Sequence, residues 1–225
     1  AIANAEDVAD WDGAGRLVGA ALREWGRLDV VVNNAGILRD RMFASGSAEE
    51  WDAVMRVHLR GHFCTSRHAA AHWREQSKAG KRVDARIINT SSGAGLLGSV
   101  GQSAYSAAKA GIAALTLVQA AELARYGVTA NAIAPAARTR MTEAVFAQTM
   151  AKPEPGRFDA MAPENVAPLV VWLGSAESHA VTGRVFEVEG GKISLADGWR
   201  HGPGIDKGSR WETDEIGAAV TALAA

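Results

Sequence analysis

The chain has 225 residues, and 24 Lys and Arg side chains nearly balance 25 Asp and Glu side chains, which leaves a formal net charge of −1. This balance excludes a protein that binds nucleic acid through overall positive charge. Apolar residues make up 48% of the chain and 24 residues are glycine, a composition typical of one compact α/β domain. The one cysteine, Cys64, excludes an intrachain disulfide and favours a reducing, cytoplasmic location.

Short apolar runs alternate with longer helical patterns along the chain, which predicts βαβ units and a parallel sheet. Asp10 can cap a first helix, and Ser47 with Glu50 forms a capping box that opens a second. Gly127 ends the long Ala-rich helix, and Pro135 closes the strand after it. The predicted helices are 11–25, 47 into the 70s, 104–125 and 163–173, and the predicted strands are 28–32, 86–89, 128–134 and 183–189.

We expect one domain over residues 1–225, with a core over 1–191 and a C-terminal extension over 192–225. The segment between the strand 86–89 and the helix 104–125 is rich in Gly and Ser and predicts a loop. The residues after Gly191 predict irregular chain and then a weak helix.

No pattern along the chain is typical of export or of a membrane. The first residues, AIANAEDVADWDG, lack the basic and apolar regions of a signal peptide. The longest uncharged stretch, 87–108, is rich in Gly, Ser, Asn and Thr rather than in hydrocarbon side chains. We therefore expect a cytoplasmic protein whose partner is neither a membrane nor a nucleic acid.

Tyr105 and Lys109 stand four residues apart at the start of the predicted helix 104–125, so they lie on one face of it. A nearby ammonium lowers the pKa of a phenol from its usual value of about 10, which makes tyrosine a usable acid and base. Ser92 follows a strand, where parallel sheets place groups that contact ligands. A hydroxyl at this place can hydrogen-bond a substrate oxygen.

The sequence Asn33-Asn34-Ala35-Gly36, then Ser92, then Tyr105-Ser-Ala-Ala-Lys109 resembles the short-chain dehydrogenase/reductase family. The resemblance implies a Rossmann-like, doubly wound parallel sheet and hydride transfer between a nicotinamide cofactor and an alcohol or ketone. It assigns proton exchange to Tyr105 and orientation of the substrate carbonyl to Ser92. It also implies that Lys109 lowers the pKa of Tyr105 and holds the nicotinamide ribose.

The resemblance further implies cofactor contacts at positions that match the family's pattern. They are Asp7 and Val8 at the adenine, Asn33, Ala35 and Gly36 at the ribose and pyrophosphate, Tyr105 and Lys109, and Pro135 and Thr139 at the nicotinamide. The family often has Pro-Gly where this chain has Pro135-Ala136, which implies a shifted or altered carboxamide contact.

His58 departs from the family's pattern, which usually has an asparagine here that feeds a water relay. Because imidazole passes protons near neutrality, a relay role for His58 is one hypothesis, and a packed helix histidine is the other. The pairs His58/His62 and His68/His72 could ligate zinc from one helix face, but no third ligand is evident, so we expect no metal.

The segment 93–98 formally matches GxGxxG, but no helix is predicted directly after it and no acidic residue follows about twenty positions on. The family's glycine loop, TGxxxGxG, normally lies farther upstream than the 32 residues that precede Asn33 allow. We therefore expect an N-terminally truncated sheet that lacks its first two strands, with the third surviving over 1–7. Such a gap exposes strand edges and the centre of the sheet.

Four further segments resemble the (3R)-hydroxyacyl-CoA dehydrogenase part of type 2 multifunctional enzymes and its bacterial relatives. They are residues 57–63, 133–142, 163–168 and 185–188. This resemblance implies oxidation of a 3-hydroxyacyl-CoA or steroid-type alcohol, with NAD more than NADP, in a homo-oligomer that is a dimer or a tetramer.

Two other functions compete with this one. A truncated, non-catalytic family member could serve as an oligomerisation or binding module, although Ser92, Tyr105 and Lys109 are all retained. A serine hydrolase could use Ser92, but the sequence has no GxSxG elbow and no evident His and Asp in the required order.

Overall fold

The computed structural model describes residues 1–139, 141–143 and 150–224. Its centre is a five-stranded sheet in the order β1-β2-β3-β4-β5, in which the first four strands are parallel and β5 is antiparallel to β4. The strands are β1 (Val30–Asn33), β2 (Ala85–Thr90), β3 (Val128–Ala136), β4 (Val185–Glu189) and β5 (Lys192–Ala196).

Helices lie before, between and after the strands, and those between parallel strands form the crossovers that such strands require. They are α1 (Trp11–Trp25), α2 (Ala48–Met55), α3 (Gly61–Lys78), α4 (Gly93–Leu97), α5 (Ser103–Leu123), α6 (Ala167–Leu173) and α7 (Thr213–Ala224). A π-helical turn, Arg56–Arg60, joins α2 to α3, and short 3-10 turns lie at Phe43–Ser45, Ala124–Tyr126, Pro163–Val166 and Ala176–Ala180. Asp10 caps α1 by accepting from the Gly13 amide, and Ser47 caps α2, as the sequence predicts.

The core lies on both faces of the sheet, because neighbouring side chains on a strand point to opposite sides. Ile87 of β2 packs with α1, α3 and α5, where Trp73 is the largest buried side chain. Ile88, the next residue, packs on the other face with Leu169 and Leu173 of α6. Helices therefore cover both faces, which makes the predicted doubly wound, Rossmann-like α/β fold correct.

The strand predicted over 1–7 is wrong. These residues have no regular secondary structure, and Glu6 pairs with Arg16 while Asp7 pairs with Arg56. A strand needs a neighbour to satisfy its backbone, and the described residues provide none on the outer side of β1. Among these residues, β1 is therefore an edge strand.

The residues directly after Gly191 form a strand rather than irregular chain. Glu189 is paired with Lys192, so Gly190 and Gly191 make the two-residue loop of a hairpin. Gly190 has a φ of 54°, which such turns require and which glycine adopts without strain. The predicted weak helix further along is present as α7. The division of the domain at residue 191 remains a prediction.

Two other predictions need correction near the carboxyl end of the sheet. Pro135 does not close β3 but lies inside it, opposite Val188. The lack of an N–H at Pro135 costs no ladder hydrogen bond, because this position faces β2, which has already ended at Thr90. The segment 93–97, predicted as a loop, forms the short helix α4, in which the side chain of Ser92 accepts from the Ala94 amide.

One helical segment, Ser103–Tyr126, is long and apolar enough to cross a membrane by length and composition alone. Core helices of soluble proteins pass the same test, and this segment contributes Ile112, Thr116 and Ala120 to the buried interior.

Gly95 lets α4 lie directly on α5. A Cβ at Gly95 would lie 2.6 Å from the carbonyl carbon of Lys109, whereas a Cβ at Gly93 would meet nothing within 4 Å. We expect Gly95→Ala to destabilise the protein by about 1–3 kcal/mol, because the backbone of α5 cannot move aside cheaply. Gly93→Ala, the matched control, should be neutral or slightly stabilising. Urea unfolding measures both, and equal stabilities of the two variants would contradict this packing.

Candidate active site

The predicted catalytic residues meet at the carboxyl end of β2. Ser92 follows this strand, and α5 brings Tyr105 and Lys109 to it from one side. His58, on the π-helical turn, approaches from the other side, with its ring edge-on to that of Tyr105 and the ring centroids 5.3 Å apart. Carboxyl ends of parallel strands are where α/β proteins bind ligands.

Tyr105 is largely buried and stands next to the Ser92 hydroxyl. Burial raises the pKa of the phenol, a hydrogen bond with Ser92 lowers it, and the charge of Asp40 raises it again, with a net upward shift. Lys109, which the resemblance implies lowers the Tyr105 pKa, is not among the causes of this shift, of which burial is the largest.

Lys109 is only 3% exposed, and its Nζ donates a hydrogen bond of 2.6 Å to the carbonyl of Thr90. The same Nζ lies 5.6 Å from the centre of the Tyr105 ring. Burial lowers the pKa of the ammonium to about 8. The ammonium thus lies beside the phenol. Only one of its three N–H donors is used within the described residues, so two are available to a ligand.

His58 is completely buried, and burial lowers its pKa to about 4. This low pKa favours the neutral imidazole, and the relay role of His58 stays a hypothesis. Its Nε2 lies 3.0 Å from the amide and 2.8 Å from the carbonyl of Ile37. Its Nδ1 is buried and has no hydrogen-bond partner among the described residues.

Three predicted cofactor residues, Val8, Asn33 and Ala35, line one cavity of about 350 Å³ along the free edge of β1. The amide of Asn33 is occupied, since it donates to Ser66 and Asn89. This side chain ties β1 to β2 and α3, so both hydrogens of its amide nitrogen are used within the protein.

Gly36 lies against the imidazole of His58. A Cβ there would come within 2.5 Å of the ring, so the close approach requires glycine. The sequence predicted both residues as functional but not their contact.

The remaining predicted cofactor residues lie apart from this cavity. Asp7 accepts from Arg56 at 2.6 Å, and this hydrogen bond holds the pKa of its carboxyl below the usual range. Pro135 is within β3, and Thr139 follows that strand, where its amide donates to the Thr142 hydroxyl. The structure thus brings Ser92, Tyr105, Lys109 and His58 together, but not the full cofactor set.

Asp40 belongs to the site and was not predicted. Its Oδ2 accepts from Gln102 at 2.9 Å, and the amide of the next residue, Arg41, donates to the Gly101 carbonyl at 2.8 Å. Its Oδ1 is buried without a partner in the part of the chain that the structure describes. This loop is therefore fastened to the start of α5, three residues before Tyr105. A lone carboxylate in a loop gives no sequence signal, because the contact depends on the tertiary fold.

The histidine pairs do not build a metal centre. Both ring nitrogens of His62 face protein groups, the Thr90 amide and the His58 carbonyl. His68 stacks on Trp11 and bonds its carbonyl. Among the residues that the structure describes, no three His, Cys, Asp or Glu side chains are placed to hold a metal ion.

A parallel sheet wrapped by helices, with serine, tyrosine and lysine at its carboxyl end, defines a class of dinucleotide-dependent oxidoreductases. Comparison with known proteins agrees, since the model of the short chain dehydrogenase family matches residues 1–150. The chain belongs to this family, and it is therefore an oxidoreductase that uses a nicotinamide cofactor, NAD or NADP.

Several relatives match most of the chain. The hydroxyacyl-CoA dehydrogenase ChsB1 of Mycobacterium tuberculosis is 47% identical over 98% of this chain and 70% of its own length. The peroxisomal multifunctional enzyme type 2 of the mouse is 45% identical over 86% of this chain, but only 24% of its own length is covered. Neither relative supports the hydrolase or the non-catalytic module.

Among solved structures, a short chain dehydrogenase from Mycobacterium avium matches with a TM-score of 0.90 and 65% identity. The match covers 99% of this chain and 73% of that one. The fold described above is therefore that of a short-chain dehydrogenase.

Replacement of Asp40 by asparagine should shift the pH dependence of catalysis. The new carboxamide can still accept from Gln102, but the negative charge that raises the Tyr105 pKa is gone. The phenolate then forms at lower pH, so we expect the rising limb of kcat/KM for alcohol oxidation to move down by about half a pH unit. Asp52→Asn removes a charge from the exposed surface of α2 and should leave the profile unchanged. An upward shift with Asp40→Asn would contradict this electrostatic role.

Proposed function

We propose that the protein oxidises a 3-hydroxyacyl-CoA to the 3-ketoacyl-CoA with NAD as the cofactor. One observation carries the proposal, which is the meeting of Ser92, Tyr105 and Lys109 at the end of β2. The substrate class is supported by the printed names of the relatives, a hydroxyacyl-CoA dehydrogenase and a 3-oxoacyl-[acyl-carrier-protein] reductase from Thermotoga maritima, which is 36% identical.

In this reaction Tyr105 removes the proton from the substrate hydroxyl while the hydrogen on the same carbon leaves with its electron pair, and a carbonyl forms. When bound, nicotinamide supplies the acceptor for that hydride. Ser92 donates a hydrogen bond to the substrate oxygen and keeps it next to the phenol. Lys109, whose Nζ lies 5.6 Å from the centre of the Tyr105 ring, would stabilise the phenolate by its charge.

The residues present fit a nicotinamide nucleotide on the side of the reacting ring. Lys109 has unused donors for ribose hydroxyls, and we propose that the backbone of Asn33, Ala35 and Gly36 contacts the ribose and pyrophosphate. Val8 would pack against the adenine, whereas Asp7 is engaged by Arg56 and is the weaker candidate. Pro135 and Thr139 would border the carboxamide. We propose NAD rather than NADP because four segments resemble the (3R)-hydroxyacyl-CoA dehydrogenase part of type 2 multifunctional enzymes. They are residues 57–63, 133–142, 163–168 and 185–188.

His58 remains a candidate for the catalytic set in a neutral role. Its Nε2 is held by Ile37, and its Nδ1 has no partner among the described residues, so it can offer one hydrogen bond to a water or a substrate next to Tyr105. We propose this role in place of a charged relay.

Replacement of the catalytic phenol provides the direct test. The protein should reduce NAD with a 3-hydroxyacyl-CoA, and Tyr105→Phe should lower kcat by about 10²–10⁴-fold, because the proton acceptor is lost. Tyr126→Phe changes the only other tyrosine of this chain and should leave kcat unchanged. The rate of NADH formation, followed by absorbance, is measured for all three proteins. A steroid alcohol is tested in parallel as the substrate. A fully active Tyr105→Phe variant would refute the mechanism, and turnover of the steroid alone would refute the substrate class.

We also propose a cytoplasmic homo-oligomer, a dimer or tetramer, that packs through α3 and α5. An apolar groove on this side is lined by Met55 of α2, Leu59 of the π-helical turn, Phe63 of α3 and Leu115 of α5. Phe63 is 45% exposed and Val118, on the same side of α5 as Leu115, is 50% exposed, so the face is costly to leave in water.

A charge placed on this face should dissociate the oligomer. We expect Phe63→Glu to lower the mass measured by light scattering to that of one 23.6 kDa chain, because the carboxylate would be desolvated in the interface. Phe158→Glu, at a 67% exposed phenylalanine outside the groove, should keep the mass of the parent. A monomeric parent protein would refute the proposed assembly.

A further inference from the structure

One residue of β2 extends beyond its neighbour in the sheet. The register of β1 with β2 ends at the pair Asn33 and Asn89, whereas β2 continues to Thr90. The amide of Arg86 donates to Asp29, so alternate residues of β2, including Thr90, direct their backbone groups towards β1. At Thr90 the carbonyl has no ladder partner in the described part of the sheet, whereas the pairing of Asn33 with Asn89 directs the Thr90 amide at the Asn33 carbonyl.

Two side chains contact these backbone groups, His62 in addition to the strand and Lys109 in place of it. His62 of α3 accepts from the Thr90 amide at Nε2, at 3.3 Å, and Lys109 of α5 donates to the Thr90 carbonyl at 2.6 Å. The backbone of this one residue therefore links His62 to the catalytic ammonium.

The second nitrogen of His62 is also engaged. Its Nδ1 lies 2.7 Å from the carbonyl of His58 in the π-helical turn. Since Nε2 accepts a hydrogen bond, the proton must be on Nδ1, which donates to that carbonyl. His62 is 2% exposed, and burial lowers its pKa to about 3, so this neutral tautomer is the form present at working pH.

We propose that His62 is a positioning residue for Lys109. By holding the Thr90 amide against the His58 turn, it fixes the carbonyl that receives the Lys109 ammonium, and so keeps Lys109 beside Tyr105. The inference rests on the proposed function of Lys109 and Tyr105. Packing alone would be served by an apolar side chain, whereas this ring matches one donor and one acceptor.

The titratable groups around Lys109 come from three elements. Tyr105 lies on its own helix, His62 lies on α3, and His58 lies on the π-helical turn. Asp40, on the loop after β1, acts on Tyr105. Because His58 and His62 are both neutral, His62 controls the position of Lys109 and does not change the charge near it.

The test compares His62→Met, His62→Gln and the control His72→Met, each first checked for folding by circular dichroism. His72 lies on the same helix, is half-buried and has no contact with Thr90. We expect His62→Met to lower kcat about tenfold or more with KM little changed, because a small displacement of a catalytic group is costly. Gln can donate to His58 and accept from Thr90, so His62→Gln should restore kcat to within about threefold.

A second readout does not need turnover. The Lys109 pKa, followed by NMR of ¹³C-labelled lysine, should rise from about 8 towards its ordinary value in His62→Met as the ammonium gains access to water. An unchanged Lys109 pKa and unchanged kcat in His62→Met would overturn the proposal. A shifted Lys109 pKa in a protein that oxidises no 3-hydroxyacyl-CoA would support the positioning role and refute the proposed function.

If His62→Met does not fold, a measurement on the unsubstituted protein still tests the proposal. Nitrogen NMR of His62 should show a proton on Nδ1 and none on Nε2 at neutral pH. A proton on Nε2 would overturn the proposal, since that nitrogen could not then accept from Thr90.

Discussion

The hydrogen bond from Lys109 to the carbonyl of Thr90 is the contact on which the site depends. It joins α5 to the end of β2, and so it fixes the distance between the helix that carries Tyr105 and the strand that leads to Ser92. The Ser91 hydroxyl reinforces the contact by donating to the Lys109 carbonyl at 2.8 Å. Gly95 allows α4 to close over the same backbone. A buried ammonium is tolerated here because it has a partner.

Burial then sets the electrostatics of the site. It lowers the pKa values of His58 and Lys109 and raises that of Tyr105, so each group is driven towards its neutral form. A neutral imidazole cannot repel the ammonium, and a protonated phenol can donate to a substrate oxygen. Asp40 strengthens the upward shift of the Tyr105 pKa, whereas Ser92 opposes it.

The sequence predicted the elements whose signals are local. Asp10 and Ser47 cap their helices, and the spacing of Tyr105 and Lys109 places both on α5 at the end of β2. Predictions failed where a neighbour decides the structure. Residues 1–7 correspond to a strand in the family's order but have no strand to pair with among the described residues, and Pro135 is accepted in β3 because β2 has ended. The roles of Asp40 and His62 likewise arise from tertiary contacts that no spacing in the sequence encodes.

The most direct test of hydride transfer at this site follows the transferred hydrogen. A 3-hydroxyacyl-CoA with deuterium on C3 is incubated with the protein and NAD, and the NADH and the water are analysed for deuterium. If Ser92, Tyr105 and Lys109 act as described, the deuterium passes to the NADH while the hydroxyl proton passes to solvent through Tyr105. Deuterium released to water, or no oxidation by a folded protein that binds NAD, would contradict the assignment of this site to hydride transfer.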